Sequence, residues 1–191
     1  YKLNIVKNMK KSSFIKKLSS LKKNNIVFIG HMGSGKTAVA RKIAEELEIQ
    51  HLDSDEEIIK NEKDTIKNIF KLKGEDYFRE IEVKIISKLL EKKNIVISLG
   101  GGSIISKKIR KILVKKSLTI FLDVDLKILV SRLKNFKKRP LLNKVNILEK
   151  LKELDIERRK YYLNADIKIQ NAFNINKAFV EFINSFSNID V

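Results

Sequence analysis

Short apolar runs and longer amphipathic stretches alternate along this chain. The apolar runs are Ile26–Ile29, Ile49–Leu52, Ile95–Leu99, Leu118–Leu122 and Ile167–Ile169. Each is brief and bounded by polar or glycine-containing segments, which predicts buried strands. Between them, apolar residues return at three- and four-residue spacing over Thr37–Leu47, Asp64–Leu72, Glu75–Lys92, Lys107–Val114, Leu126–Asn135, Ile147–Tyr162 and Asn176–Phe186. That period predicts helices with one buried face. Strands alternating with helices build βαβ units and a parallel sheet covered on both faces. The expected fold is therefore α/β, a three-layer αβα sandwich around a central five-stranded parallel sheet.

Residues 25–191 are expected to form one domain, since a chain of 191 residues suits one core. Its single proline, Pro140, stands in the polar run Asn135–Pro140 between two helices. That run has few apolar anchors and suits a mobile lid over about residues 132–146. Residues 1–24 form a basic extension, and positions 1–44 contain no Asp or Glu. Within it Phe14, Ile15, Leu18 and Leu21 fall at helical spacing among lysines. This pattern permits an amphipathic helix at a membrane surface, a targeting segment, or a frayed or short helical extension. With no long apolar stretch and almost no Arg, the segment matches neither a secretory nor a mitochondrial leader, which favours the frayed extension.

Lys and Arg number 41 against 23 Asp and Glu, a formal net charge of +18. Such a charge can neutralise nucleic-acid phosphates. Here the lysines are scattered, and no basic stretch is interleaved with aromatics. The charge reads as a solvated surface that attracts anionic small molecules, and no nucleic-acid partner is expected. Cysteine is absent, which excludes a disulfide frame and a thiolate metal site and accords with a reducing cytoplasm. No apolar run is long enough to span a bilayer.

The chemistry begins directly after the first apolar run. Gly30-His31-Met32-Gly33-Ser34-Gly35-Lys36-Thr37 fits G-x-x-x-x-G-K-[ST], a phosphate-binding P-loop, and it stands between a strand and a helix as that motif requires. Its glycines let the backbone wrap a polyphosphate with N–H groups turned inward. The helix N-terminus, opening through Gly33, Ser34, Gly35, Lys36, Thr37 and Ala38, adds partial positive charge. Lys36 brings a full charge to the β- and γ-phosphates, and the Thr37 hydroxyl suits Mg²⁺. A nucleoside triphosphate with Mg²⁺ is the expected ligand.

Further motifs stand where an acceptor would bind. Asp53-Ser54-Asp55 ends the second apolar run, beyond the carboxyl end of a strand, where ligands of open parallel sheets gather. One carboxylate of such a pair can support Mg²⁺ and the other can accept a hydroxyl proton; a helix N-cap is the plainer use of the same residues. Gly100-Gly101-Gly102 follows the third run and suits close approach of a ligand to backbone, or a flexible turn. Arg79, in Gly74-Glu75-Asp76-Tyr77-Phe78-Arg79-Glu80-Ile81-Glu82, is either a surface charge paired with Glu75 or Glu82 or a fork for a substrate carboxylate. Arg139, in Arg139-Pro140-Leu141-Leu142, sits on the candidate lid, where an arginine can stabilise a moving phosphoryl group. Arg132 is a helix-surface or adenine-side arginine. In Glu157-Arg158-Arg159-Lys160-Tyr161-Tyr162, Arg158 and Tyr162 share one helical face.

These six segments, in this order over Asn25–Asn171, resemble the shikimate kinase family. That family carries G-x-x-G-x-G-K-[ST], D-[ST]-D, G-E-x-x-F-R-x-x-E, G-G-G, R-P-L-L and E-R-x-x-Y-Y-x-x-A-D. The resemblance implies a P-loop kinase fold and ATP-dependent phosphorylation of the shikimate 3-hydroxyl. It implies Lys36, Asp55 and Arg139 as catalytic groups. Gly33–Ala38, Arg132 and Arg139 would hold ATP, and Thr37 and Asp53 would stand on the Mg²⁺ side. Asp55, Arg79, Gly100, Gly101, Gly102 and Arg158 would hold shikimate. It also implies a monomer. Lys160 replaces the proline common after the arginine pair, which leaves Arg158 and Arg159 as alternatives; Arg158 is preferred because it lies four residues before Tyr162. The readings set against it are a kinase for another hydroxy acid and a basic P-loop protein that binds nucleic acid.

Overall fold

The computed structural model describes residues 11–134, 146–170 and 174–190. The strands are β1 (Asn25–Ile29), β2 (Gln50–Asp53), β3 (Ile95–Ser98), β4 (Ser117–Asp123) and β5 (Ile167–Gln170). The helices are α1 (Lys11–Ser20), α2 (Lys36–Glu46), α3 (Ser54–Glu62), α4 (Ile66–Glu91), α5 (Lys107–Lys116), α6 (Leu126–Lys134), α7 (Ile147–Tyr162) and α8 (Ile175–Ser187). The five strands form one parallel sheet in the order β2-β3-β1-β4-β5. The β1 register, Ile26 beside Val96 and beside Leu118, puts the P-loop strand at the centre.

Alternation along the central strands divides the core in two. Ile26 and Phe28 of β1 with Leu118, Ile120 and Leu122 of β4 face the side covered by α1, α2, α6 and α8. Val27 and Ile29 of β1 with Phe121 of β4 face α3, α4 and α5. Both faces of the central strands are thus sealed, as their apolar runs required. Asp166 pins the start of β5: its Oδ2 accepts from the Thr119 N–H and hydroxyl, each at 2.7 Å.

Three elements differ from the sequence reading. Residues Lys11–Ser20, favoured as frayed, form α1 with Phe14 and Leu18 fully buried. Phe14 packs on Phe186 of α8 at 4.8 Å between ring centroids. Its apolar face is thus spent on the core. Helix α3 has no counterpart in the predicted elements: it carries mostly charge and buries only Ser54 and Ile58. The two helices expected over Asp64–Lys92 run as α4, interrupted at Gly74 with φ 83° and ψ 173°. The candidate lid lies largely outside the described residues; positions 132–134 close α6.

Candidate active site

The P-loop leaves β1 through backbone that only glycine adopts freely: Gly30, Gly33 and Gly35 have φ of 142°, 76° and 91°. At Gly30 a Cβ would stand 2.9 Å from the Leu122 carbonyl of β4. Gly35 is the N-cap of α2 and offers no side-chain acceptor to its first N–H groups, the arrangement that suits an anion there. Lys36 opens the helix, and its Nζ donates to the carbonyls of Gly30 and His31 at 2.8 Å each. The loop thereby holds its own ammonium against its inner rim.

Next along the helix, the Thr37 hydroxyl donates to Asp53 Oδ2 at 2.8 Å. The other Asp53 oxygen accepts from the N–H groups of Asp55 at 2.9 Å and Glu56 at 3.4 Å, capping α3. One carboxylate thus performs the cap and faces the P-loop hydroxyl at once. A hydroxyl beside a carboxylate is a hard oxygen pair that fits Mg²⁺. Among the described residues no cluster of three or more His, Cys, Asp or Glu forms a protein cage. The fit is therefore to an ion that completes its shell with water and phosphate oxygens, as Mg²⁺ does in kinases.

Opposite the P-loop, the glycine turn explains its own composition. A Cβ on Gly100 would meet Asp55 Oδ1 at 2.5 Å. On Gly101 it would meet the Gly30 carbonyl and the Met32 N–H nitrogen at 3.3 Å. On Gly102 it would meet two Arg79 guanidinium nitrogens at 2.9 and 3.0 Å. The three glycines make room for the side chains and loop that converge there. Ser54 ties the turn to α3, its hydroxyl accepting the Gly100 N–H at 2.9 Å.

Arg79 is held in a fork by Glu75 and Glu82, each at 2.9 Å. Burial opposes its charge, but the two carboxylates outweigh burial and raise its pKa above the ordinary arginine value. Glu82 is itself buried and accepts from the Ser103 hydroxyl at 2.7 Å. The structure shows the ion pairs that the sequence suggested, and the paired guanidinium lines a pocket. Arg158 on α7 is 6% exposed and also faces that pocket. Arg159 turns away to Asp123 at 2.9 Å and Asp155 at 3.4 Å.

These groups line one cavity of about 590 Å³. Gly33, Gly35, Lys36, Thr37 and Ala38 wall the donor side with Asp53. Asp55, Arg79, Arg158 and the three glycines wall the other. Arg132 lines it too, its guanidinium donating to the carbonyls of Gly33 at 3.0 Å and Ser34 at 3.2 Å. Ser34 is buried outside the lining, and Arg139 lies outside the described residues. Sequence reasoning missed the cavity's apolar wall of Ile66, Phe70, Phe78 and Ile175. It also missed that Tyr162, pushed up in pKa by burial, donates its hydroxyl to the Gly101 carbonyl at 2.6 Å.

Comparison with known proteins agrees with this architecture. The shikimate kinase family model matches residues 32–186. The shikimate kinase of Aquifex aeolicus (strain VF5) is 40% identical over 145 residues, which is 76% of this chain and 85% of that one. That of Buchnera aphidicola subsp. Baizongia pistaciae is 40% identical over 164 residues, 84% of this chain and 94% of the relative. The solved structure of shikimate kinase from Acinetobacter baumannii in complex with shikimate superposes with a TM-score of 0.83 at 30% identity, covering 93% and 96% of the two chains. With a P-loop opening onto a cavity lined by Asp55, Arg79 and Arg158, and with relatives of this extent, the chain belongs to the shikimate kinase family, phosphotransferases that use ATP with Mg²⁺.

Proposed function

We propose that the chain transfers the γ-phosphoryl group of ATP to the 3-hydroxyl of shikimate and that each half of the cavity performs one part of this. The observation that carries the assignment is the pairing of two buried-edge arginines, Arg79 and Arg158, with Asp55 in one cavity that opens onto the P-loop. Two guanidinium forks suit a carboxylate, and Asp55 suits the hydroxyl that reacts. With the carboxylate held, the ring's hydroxyl is directed toward Asp55 and the phosphates. Asp55 orients the hydroxyl and accepts its proton as the oxygen attacks the γ-phosphorus and the bond to the β–γ bridging oxygen breaks. Gly100, Gly101 and Gly102 let the substrate ring lie close to backbone.

On the donor side, Lys36 leaves the loop carbonyls for the β- and γ-phosphates, and the N–H groups of Gly33–Ala38 cradle them. Thr37 and Asp53 would hold Mg²⁺, which would supply positive charge against the phosphates. Arg132, fixed on the P-loop carbonyls, stands on the nucleotide side. Arg139 is assigned to the transferring phosphate by its motif alone. We take the enzyme to act as a monomer, as the resemblance to its family implies. Among the described residues no helix is long and apolar enough to cross a membrane, and we place the enzyme in the cytoplasm with small-molecule partners only, not nucleic acid.

Coupled measurement of ADP formation with shikimate, gluconate and nucleoside monophosphates tests the substrate; no stimulation by shikimate sinks the proposal. Asp55→Asn tests the chemistry: kcat is expected to fall by about 100-fold or more, the range for loss of a positioned base, with ADP affinity retained. A near-normal kcat removes Asp55 from that role.

A further inference from the structure

Helix α7 brings three polar side chains to one face, Asp155, Arg158 and Tyr162, at spacings of three and four residues. Arg158 faces the cavity. Its two neighbours on that face reach across to opposite halves of the site. Asp155 Oδ1 lies 2.7 Å from Nε2 of His31, the first residue of the P-loop after Gly30. Tyr162 donates to the Gly101 carbonyl in the glycine turn, and its phenol lies within reach of the Arg158 guanidinium. The His31 and Tyr162 rings then meet edge to face, with centroids 5.1 Å apart and planes at 80°.

His31 is 3% exposed. Burial depresses its pKa; Asp155 opposes this, while the charges of Lys36 and Arg158 add to the depression. The ring is accordingly neutral at physiological pH, with its proton assigned to Nε2 by the carboxylate it faces. The backbone of the same residue serves the phosphate site: its carbonyl accepts from Lys36 Nζ at 2.8 Å and from the Ser34 N–H at 3.2 Å. One residue therefore fixes the donor loop through its main chain and the helix bearing Arg158 through its side chain.

We propose that His31 is a positioning residue for the acceptor half: its contact with Asp155 sets α7 against the P-loop and so places the Arg158 guanidinium. This rests on the reading of Arg158 as a ligand of the substrate carboxylate. A side chain that only filled the core would lower stability without choosing between substrates. A positioning contact acts on shikimate, spares ATP, and acts through Arg158.

His31→Phe keeps a ring against Tyr162 and removes the N–H, whereas His31→Gln restores a donor at similar reach. In steady-state kinetics on the full chain, His31→Phe is expected to raise the KM for shikimate about tenfold, as for loss of a hydrogen bond to a charged group. His31→Gln returns the KM to within about twofold, and the KM for ATP moves by less than about twofold in either. In an Arg158→Lys background, itself impaired for shikimate, His31→Phe adds less than about twofold, because the group it acts through is gone. Should His31→Phe fail to fold, Asp155→Ala cuts the same contact from the helix side and is read identically, since Asp123 still holds Arg159. An unchanged KM for shikimate, or penalties of the two substitutions that multiply, overturns the inference. Arg158→Lys with an unaltered KM for shikimate instead overturns the reading of Arg158, and the inference falls with it.

Discussion

Gly100→Ala separates the acceptor half of the site from the donor half by one methyl group. Gly100 has no left-handed backbone to protect, so alanine strains nothing in the main chain. The effect falls on side-chain space. The added Cβ would stand 2.5 Å from Asp55 Oδ1 and 3.3 Å from the Ser103 hydroxyl. Non-bonded carbon and oxygen meet at roughly 3.3 Å, so the Asp55 carboxylate must move by about 0.8 Å. The backbone on either side resists a compensating shift: the Gly100 N–H is held by Ser54, and the Asp55 N–H is held by Asp53. A misplacement of about 1 Å at a reacting group costs on the order of 100-fold in rate, or about 2.7 kcal/mol of transition-state stabilisation. Coupled detection of ADP release gives kcat and KM for both substrates, and calorimetry gives ADP affinity. The expected result is a fall of about 100-fold in kcat/KM for shikimate with ADP affinity within about twofold of the parent. A kcat/KM within about threefold of the parent would show that Asp55 does not depend on this close contact for its geometry. An equal loss of ADP affinity would show that the glycine supports the P-loop instead.

Two further outcomes follow from burial. Phe14→Ala removes a fully buried ring from the contact between α1 and α8 and is expected to cost about 3 kcal/mol or more in urea denaturation, with little change in kcat. A loss below about 1 kcal/mol would contradict a core position for α1. The second concerns pH. Burial depresses the pKa of both His31 and His51 below 6.5. The unfolded chain therefore takes up protons first on acidification, so this contribution to stability is complete above pH 6.5 and is lost as pH falls through the folded values. Urea midpoints are expected to drop between pH 7.5 and 5.5, and to drop less in His31→Gln,His51→Gln. Midpoints that hold or rise over that interval refute the assignment.

The parts of this fold that were legible in the sequence are those set by local demands. Gly30–Thr37 announces itself because positive φ at three positions and a helix N-terminus leave few residue choices. The central strands β1, β3 and β4 were legible because burial on both faces keeps them largely apolar. What stayed hidden depends on partners far along the chain. Residues Lys11–Ser20 look like a frayed basic extension until Phe14 meets Phe186. Helix α3 shows too few apolar positions for its period to register, although Asp53 marks its start with a cap. His31 occupies a position where the motif accepts any residue, and its carboxylate lies 124 residues away. Asp53 and Arg79 each offered a structural and a functional reading, and the structure shows the structural one with both side chains at the cavity: the cap carboxylate faces Thr37, and the ion-paired arginine lines the cavity.

The glycine turn shows how the two halves keep register. In the sheet β3 lies between β1 and β2, so the turn leaving β3 falls between the P-loop that leaves β1 and the Asp53-Ser54-Asp55 segment that leaves β2. Each glycine then answers to a different neighbour. Gly100 yields to Asp55, Gly101 to the P-loop backbone, and Gly102 to Arg79. The Gly101 carbonyl is taken by Tyr162 from α7, the helix that also bears Arg158. A side chain at any of the three would force apart two groups that a phosphoryl transfer between bound substrates requires close together. The strand order of the sheet thus brings the P-loop, Asp55, Arg79 and the helix that bears Arg158 to one three-residue turn, and the absence of side chains there is what lets them meet.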